Sequence, residues 1–429
     1  MRVGALSLAS CILSLGLRLV APAWAEEPAA SEQPWLRRWF PELRQGMDDL
    51  SPFFRDTRVD LHLRTYYFNQ TNPNGSAQEA LATGGWLAYQ SGWLLDTFAV
   101  GAVGYLSEPL YAPGDRGGTL LLETGQNGYA VLGQAWAALR YKDYALLKGP
   151  RQLVDQGYVN PYDSRMTPNT FEGVTLSGKA GPVEYFGGFL DRMKPRNENE
   201  FSWMTQIAGV ARHTNGLGIA SLTVTPWKEL SLYAAEYYLP DTYNTAFGQI
   251  TYQRALTKEW GLALGFQYTD QRSVGAQFLG DFVTWNVSSQ AQLSYAGATF
   301  TAALSFTGMA NDIETPFGRF PGYLKLQIND FDQANQNVWG VGLAYDFTRL
   351  GLSGLSATTL YAQGTNAVKP GTVDPVANLR EGNFSLDYVA PAKVLRGFTF
   401  SFQAAVGSTG APRLESQFRI IVNYEIPAL

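Results

Sequence analysis

Hydrophobic and polar side chains alternate along residues 282–309 with the two-residue period of a β-strand. One parity is apolar and the other carries uncharged polar groups, namely Val283, Trp285, Val287, Ala291, Leu293 and Tyr295 against Thr284, Asn286, Ser288, Gln290, Gln292 and Ser294. If Ala296 and Gly297 form a two-residue hairpin turn, Leu293 faces Phe300 across the ribbon. A soluble β-sandwich shows the same alternation, so this segment alone predicts only a half-buried antiparallel sheet.

The same alternation starts near Thr57 and continues to the end of the chain. It predicts eighteen strands, the first beginning near Thr57 and the others at roughly 81–90, 93–105, 129–141, 143–149, 171–178, 183–194, 217–225, 229–238, 244–256, 259–269, 282–295, 297–309, 336–348, 353–363, 380–389, 397–407 and 414–426. No linker or change of composition interrupts residues 57–429. The strands therefore belong to one large sheet.

The connections between these strands alternate between short turns and long segments. The short turns lie at one end of the strands, and most of the connections at the other end are long, at 106–128, 150–170, 195–216, 270–281, 310–335 and 364–379. This arrangement, on an even number of strands, is typical of bacterial outer-membrane barrels. The sequence thus predicts an all-β fold, a transmembrane antiparallel β-barrel of about 18 strands. The apolar parity would face lipid and the polar parity a water-filled lumen, with loop 150–170 folded inward as a constriction.

The N-terminus divides the chain into three predicted parts. Residues 1–25 have the apolar core and the Ala23-Trp24-Ala25 ending of a secretory signal peptide. Residues 26–56 lack alternation and form a predicted periplasmic segment, which is either a loosely ordered tail or a short amphipathic helix that touches the pore or a partner. Residues 57–429 form the barrel. Without the signal peptide the chain has 30 basic and 37 acidic residues, a net charge of −7, and no cysteine. Disulfide and thiolate metal sites are thereby excluded from the mature chain.

Catalytic chemistry has little support in the sequence. The two histidines, His62 and His213, lie in no arrangement that suggests a triad, and no phosphate loop or metalloprotease motif occurs. The acidic pairs Asp330/Asp332 and Asp312/Glu314 lack the ligand spacing of a calcium loop, which favours solvated loops over a metal site. We therefore predict no catalytic residue, no metal, no cofactor and no nucleic-acid partner.

Basic residues on the polar parity suggest a different kind of site. The candidates for a pore-lining basic track are Arg64, Arg140, Lys148 and Arg192 on strands, and Arg151 and Arg165 in loop 150–170. Cations at several depths of a narrow channel focus the field and attract anionic solutes. Asp163 and Asp330 are the acidic candidates for the constriction. The alternative interpretation is that the pore wall carries scattered charges of both signs.

Several short segments follow one another in a distinctive order: LRTYYFN at 63–69, YQSG at 89–92, MTPNTFEG at 166–173, INDFDQAN at 328–335 followed by WGVGLAYDF at 339–347, and RIIVNY at 419–424. Together they resemble the OprD family of substrate-selective outer-membrane porins. This resemblance implies guidance of carboxylate-bearing solutes past a basic ladder, with inward-folded loops narrowing the pore. Arg165, one of the ladder candidates, directly precedes the segment at 166–173.

The leading hypothesis is therefore a substrate-selective porin for passive diffusion of small, carboxylate-bearing solutes. The alternative is an outer-membrane barrel with a blocked lumen that acts as an enzyme or adhesin. The expected partners are small solutes, outer-membrane lipid and lipopolysaccharide. Monomeric and trimeric assembly are both left open.

Overall fold

The computed structural model describes residues 41–391 and 395–427. Nineteen β-strands occur in this part of the chain, all in one antiparallel sheet. They are β1 Arg58–Thr71, β2 Ala77–Gln90, β3 Phe98–Tyr111, β4 Tyr129–Tyr141, β5 Ala145–Gln152, β6 Thr170–Ala180, β7 Val183–Lys194, β8 Ser202–Trp203, β9 Leu217–Trp227, β10 Leu230–Leu239, β11 Tyr243–Ala255, β12 Trp260–Ser273, β13 Val283–Tyr295, β14 Ala298–Thr307, β15 Asn337–Asp346, β16 Leu355–Thr365, β17 Leu379–Val389, β18 Phe398–Ser408 and β19 Glu415–Pro427. The helical elements are α1 Pro41–Asp48, α2 Pro52–Arg55, α3 Met204–Ile207 and a 3₁₀ turn at Phe347–Leu350.

Eighteen long strands close into a barrel, which confirms the predicted fold class. Each pairs with its neighbours along the chain, and β1 pairs with β19 in a register that places Leu61 opposite Ile426. The two-residue strand β8 only extends the end of β7, which also pairs with β9. Closure leaves no free sheet edge in the wall, as hydrocarbon surroundings require. Among the described residues, no helix is long and apolar enough to cross a membrane.

The β13–β14 hairpin has the predicted register and the predicted faces. Leu293 lies opposite Phe300, and the turn residues Ala296 and Gly297 have φ values of 52° and 90°. Two central residues with positive φ are what a tight hairpin turn between twisted strands requires. Phe300 is 55% exposed on the outer surface, whereas Thr284 on the polar parity is fully buried inside the barrel. The apolar parity therefore faces lipid and the polar parity faces the lumen.

Strand β3 begins at Phe98, five residues later than the sequence predicted. Leu95 and Asp96 adopt left-handed backbone conformations, and Leu94 forms an isolated bridge with Phe98. These residues form a turn. The sequence pattern predicts a strand here instead, because Trp93, Leu94 and Leu95 are apolar and none is a typical turn residue. Beside this turn, the carbonyl oxygen of Phe53 in α2 accepts a hydrogen bond of 2.9 Å from the Gly92 backbone N–H.

The predicted signal peptide, residues 1–25, lies outside the described residues, as do residues 26–40 of the predicted periplasmic segment. The rest of that segment contains α1 and α2. The barrel wall begins at Arg58, one residue after the predicted start. The assignment of 26–56 to the periplasm remains a prediction.

Long loops fold into the lumen, and their apolar side chains fill part of it. In loop 153–169, Val154, Tyr158 and Val159 are buried against inward-facing wall residues and against Phe317 of loop 308–336. Further along loop 308–336, Tyr323 packs in a second cluster on the inner wall. Large apolar side chains contribute about 1.5–3 kcal/mol each when buried. The predicted inward fold of loop 150–170 is thus confirmed, and a second loop shares its role.

Candidate pore constriction

The two inward loops are joined to each other by Asn160. Its side-chain amide donates to the carbonyl oxygen of Arg319 at 2.9 Å and accepts from the backbone N–H of Arg319 at 3.0 Å. The backbone N–H of Asn160 also donates to the carbonyl oxygen of Phe317 at 3.2 Å. A Cβ at Gly318 would lie only 2.5 Å from the Asn160 amide, so this approach requires glycine. Loops 153–169 and 308–336 therefore behave as one inner structure.

Inward-facing wall side chains hold loop 308–336 at two further points. The Gln271 amide donates to the carbonyl oxygen of Glu314 and accepts from its backbone N–H, both at 2.8 Å. The buried carboxylate of Glu381 accepts from the backbone N–H groups of Ile328 and Asn329 at 2.9 and 2.8 Å, and from the Asn329 side chain at 2.9 Å. Charge-assisted hydrogen bonds of this kind are about twice as strong as neutral ones. The loop is therefore fixed to the wall rather than free in the lumen.

Arg64 of β1 anchors loop 153–169. Its guanidinium donates to both carboxylate oxygens of Asp163, at 2.6 and 3.1 Å, to the Asn423 side chain at 2.8 Å and to the carbonyl oxygen of Arg165 at 2.5 Å. The Arg64 side chain is buried, while that of Asp163 is partly exposed. The positive charge of Arg64 is thus largely compensated.

Arg165 is buried without a carboxylate. It donates to the carbonyl oxygens of Thr119 and Ser164, both at 2.8 Å, and lies 4.7 Å from the ring centroid of Phe68. Burial, together with the nearby charge of Arg419, lowers the pKa of Arg165 to about 9. A proton is held less tightly here because the surroundings are already positive and poorly solvated.

Three more arginines complete the positive site. Arg419 of β19 lies 5.8 Å from the Phe68 ring, while Arg196 and Arg319 lie 3.8 and 5.8 Å from the Tyr162 ring. Arg196 also donates to the Ser164 hydroxyl. Burial alone would raise the pKa of Tyr162, but the charges of Arg196 and Arg319 hold it below its ordinary value. We call Arg165, Arg196, Arg319 and Arg419, with Phe68 and Tyr162, the constriction cluster.

Sequence reasoning missed three of the four arginines of this cluster. Arg419 lies on the inward-facing parity of its strand, so the sequence pattern could have identified it as a pore-lining arginine. Arg196 and Arg319 lie in loops, where parity carries no information. The acidic candidates Asp163 and Asp330 both pair with arginines of the site, Asp163 with Arg64 and Asp330 with Arg319 at 3.2 Å.

Arg140 and Lys148 lie on the inner wall toward the periplasmic turns. Arg140 alternates with the exposed side chains of Leu139 and Tyr141, packs 4.0 Å from the Trp93 ring and pairs with Asp96. Lys148 lies 4.2 Å from the Trp136 ring. These two track candidates therefore line the lumen below the constriction.

Arg151 and Arg192 do not line the lumen. Both pair with Glu172, Arg151 at 2.6 Å and Arg192 at 3.8 Å. All three residues alternate with buried inward-facing neighbours, such as Gln152 beside Arg151 and Met193 beside Arg192. Their side chains consequently lie on the outer face of the wall, at the ends of β5, β6 and β7 that adjoin the long loops.

No group of histidine, cysteine or acidic side chains suited to a metal ion occurs in the described ranges. His62 stacks on Trp86, with ring centroids 3.7 Å apart, and its Nε2 lies 3.2 Å from the Asn423 amide oxygen. His213 stacks on Phe278 in the same way. Both histidines thus pack against aromatic rings.

A closed barrel of eighteen long strands, narrowed by loops that carry a positive cluster, defines an outer-membrane channel protein. The chain belongs to the OprD family of outer membrane porins, whose sequence model matches residues 51–428. Members of this family are channels rather than enzymes, which agrees with the predicted class and location.

Characterised relatives and solved structures agree with this assignment. The chain is 25% identical to Porin D of Pseudomonas aeruginosa over 88% of its length and 92% of that protein. It is 23% identical to the porin-like protein GalP of Pseudomonas putida, over 73% of its length and 79% of that protein. The crystal structure of OccK9 (OpdG) from Pseudomonas aeruginosa is similar with a TM-score of 0.80 at 22% identity, covering 88% of this chain and 100% of that one. A BenF-like porin from Pseudomonas fluorescens gives a TM-score of 0.80 at 20% identity, over 87% and 99% of the two chains.

Proposed function

We propose that this porin is a substrate-selective channel for passive diffusion of small carboxylate-bearing solutes. The observation that carries the proposal is the charge balance of the constriction cluster. Within the described part of the chain, Arg165, Arg196 and Arg419 form no ion pair with a carboxylate. A passing carboxylate would supply the negative charge that the protein itself does not provide.

The arginines would act on the solute in two different ways, depending on how exposed each side chain is. Arg165 and Arg419 are buried, so they act on a solute through their field. Arg196 and Arg319 are only partly buried and can donate directly to a solute. The planar guanidinium suits the two oxygens of a carboxylate, which a lysine ammonium cannot match.

Cations continue along the inner wall toward the periplasm. Lys148 is the fourth residue of β5 and Arg140 the next-to-last residue of β4, so they lie at different heights between the periplasmic turns and the constriction. A sequence of weak sites lets a solute enter and leave, which a single strong site would prevent. A solved structure of Pseudomonas aeruginosa OpdK contains vanillate, which is a carboxylate, and its fold is similar to this chain with a TM-score of 0.78 at 21% identity. That observation supports a solute of the same class here.

Replacement of single arginines tests the proposal. Arg165→Gln and Arg196→Gln should each reduce benzoate flux into liposomes severalfold and shift the reversal potential in a potassium chloride gradient toward cation preference. Single-channel conductance to potassium chloride should change much less, because the loops stay in place. Arg254→Gln, at an exposed arginine near the periplasmic end of β11, is the matched control.

Equal benzoate flux and equal reversal potential in wild type and both cluster variants would contradict carboxylate selection. Absence of any channel conductance in the wild type would contradict the open pore, and would favour the barrel with a blocked lumen. Planar-bilayer recording of the purified wild-type protein should therefore come first, because it shows whether the pore is open before carboxylate selection is measured.

A further inference from the structure

Lys194, the last residue of β7, is completely buried close to the constriction cluster. Its ammonium donates to the carbonyl oxygen of Pro195 at 2.7 Å, and to the Thr167 hydroxyl and the carbonyl oxygen of Glu198 at 3.3 Å each. An ammonium has three protons, and three oxygens surround it. In the described ranges, no carboxylate forms an ion pair with Lys194, so oxygen dipoles compensate its charge.

Two tyrosine rings complete the surroundings of the ammonium. The ring centroids of Tyr105 and Tyr129 lie 5.6 and 5.8 Å from its nitrogen, within the range of cation–π attraction. We call Lys194, Thr167, Tyr105 and Tyr129, with the carbonyl oxygens of Pro195 and Glu198, the lysine cage.

The cage joins two loops that are separate in sequence. Thr167 belongs to loop 153–169, while Pro195 and Glu198 belong to the segment 195–201 that follows β7. The hydroxyls of Tyr129 and Thr167 lie 2.9 Å apart. Each is within hydrogen-bonding distance of the carbonyl oxygen of Arg196 as a donor, at 2.9 and 3.0 Å respectively. The backbone of Arg196 is therefore held by the cage from one side.

The side chain of Arg196 extends from the cage into the constriction cluster. Its guanidinium lies 3.8 Å from the Tyr162 ring and bonds the Ser164 hydroxyl, both in loop 153–169. We infer that Lys194 is a positioning residue for selectivity, which fixes Arg196 in the pore without contacting the solute. The expected effect on carboxylate flux rests on the proposed function, whereas the expected effect on the pore itself does not.

Lys194→Met tests the inference because it keeps the length of the side chain and removes all three donors. We expect noisier open-channel current, an altered potassium chloride conductance and an anion-over-cation permeability ratio reduced at least about twofold, the lower limit of coupling between contacting groups. Lys179→Met is the matched control, since Lys179 is an exposed lysine at the periplasmic end of β6 that pairs with Glu184 at 2.7 Å. It should leave all three quantities unchanged.

A double variant separates positioning from a merely structural role. If Lys194 acts through Arg196, Lys194→Met should add little to the selectivity change that Arg196→Gln already produces. Fully additive changes would overturn the inference, as would current noise and permeability in Lys194→Met equal to those of Lys179→Met. Heat-dependent gel mobility of each variant establishes that the barrel is folded.

If Lys194→Met does not fold, Thr167→Val carries the same test, because it removes only the hydroxyl that joins Lys194 to Arg196. Thr167→Val should reduce the permeability ratio in the same direction, and an unchanged ratio would overturn the inference. If both Arg196→Gln and Lys194→Met lower the anion-over-cation permeability ratio but leave benzoate flux unchanged, the proposed carboxylate selection fails while the positioning role stands.

Discussion

Two lipid-facing residues of β14 lie at different depths and should respond differently to a charged substitution. Trp260 and Tyr295, whose ring centroids lie 4.4 Å apart, form part of an aromatic girdle near the periplasmic turns, and Tyr295 is paired with Ala298. With a strand rise of about 3.4 Å per residue and a tilt of about 40°, Phe300 lies ~5 Å and Leu304 ~16 Å above this girdle. The apolar band of such barrels is about 25 Å tall, so Leu304 lies within ~4 Å of its midplane.

The cost of an arginine on the lipid face increases toward the midplane. We expect Leu304→Arg to reduce the free energy of unfolding by about 2–4 kcal/mol and Phe300→Arg by about 1–2 kcal/mol. Thr301 is the matched control, because it lies beside Phe300 but faces the lumen opposite Gln292 and Gly342. Thr301→Arg should cost no more than about 0.5 kcal/mol, as for an ordinary solvated position.

Urea unfolding in phospholipid vesicles, followed by tryptophan fluorescence, measures all three values. The expected order of destabilisation is Leu304→Arg, then Phe300→Arg, then Thr301→Arg. A cost for Thr301→Arg as large as that for Leu304→Arg would refute the assignment of faces. Equal costs at Leu304 and Phe300 would refute the depth assignment alone.

Three further outcomes are expected. Arg151→Gln and Arg192→Gln should leave reversal potential and benzoate flux unchanged, because both side chains lie on the outer face; a shift toward cation preference would place them in the pore. Deleting residues 154–160 should raise single-channel conductance, since it removes part of an inward loop; an unchanged conductance would mean that the loop does not limit the current. Burial and the charge of Asp330 raise the pKa of Asp332 to about 8, so the folded state keeps a proton that the unfolded state releases above about pH 4. Stability should therefore fall as pH rises from about 4 to 8, and urea midpoints of Asp332→Asn at several pH values should lack that fall.

The barrel could be predicted because its wall is a local pattern repeated many times. Each strand has one face in lipid and one in the lumen, so a two-residue period in the sequence reports the face directly. The turn at Ala296 and Gly297 fixes the register of its hairpin, and both the turn and the register could be predicted from the sequence. Strand β3 was predicted to start too early because its turn is built from leucines rather than from typical turn residues.

The track assignment of Arg192 shows where parity stops being reliable. A bulge shifts the pairing of β6 and β7 between Glu172 and Gly173, which leaves Asp191 as an extra residue before Arg192. One extra residue moves every following side chain to the other face. The sequence pattern predicts a loop at Arg151, but β5 continues through Gln152, and the strand parity places the Arg151 side chain on the outer face.

The charge pattern of the constriction depends on contacts between distant parts of the chain. Arg64 and Asp163 are 99 residues apart, and Asn160 and Arg319 are 159 residues apart. Sequence parity identifies Arg64 as inward-facing, but only the folded loop shows that Asp163 neutralises it. The same folding brings Arg165, Arg196 and Arg319 together from two loops and a segment after β7.

A division of labour between wall and loops follows from these contacts. Wall side chains such as Gln271 and Glu381 form hydrogen bonds with the backbone of loop 308–336, so their role is to hold the loop in place. The cluster arginines Arg165 and Arg196, which no carboxylate in the described residues pairs with, are carried by the loops themselves. Substitutions in the wall should consequently alter pore size and solute choice together. Substitutions of these loop arginines should alter solute choice while the pore size is kept, and that contrast is measurable as conductance against reversal potential.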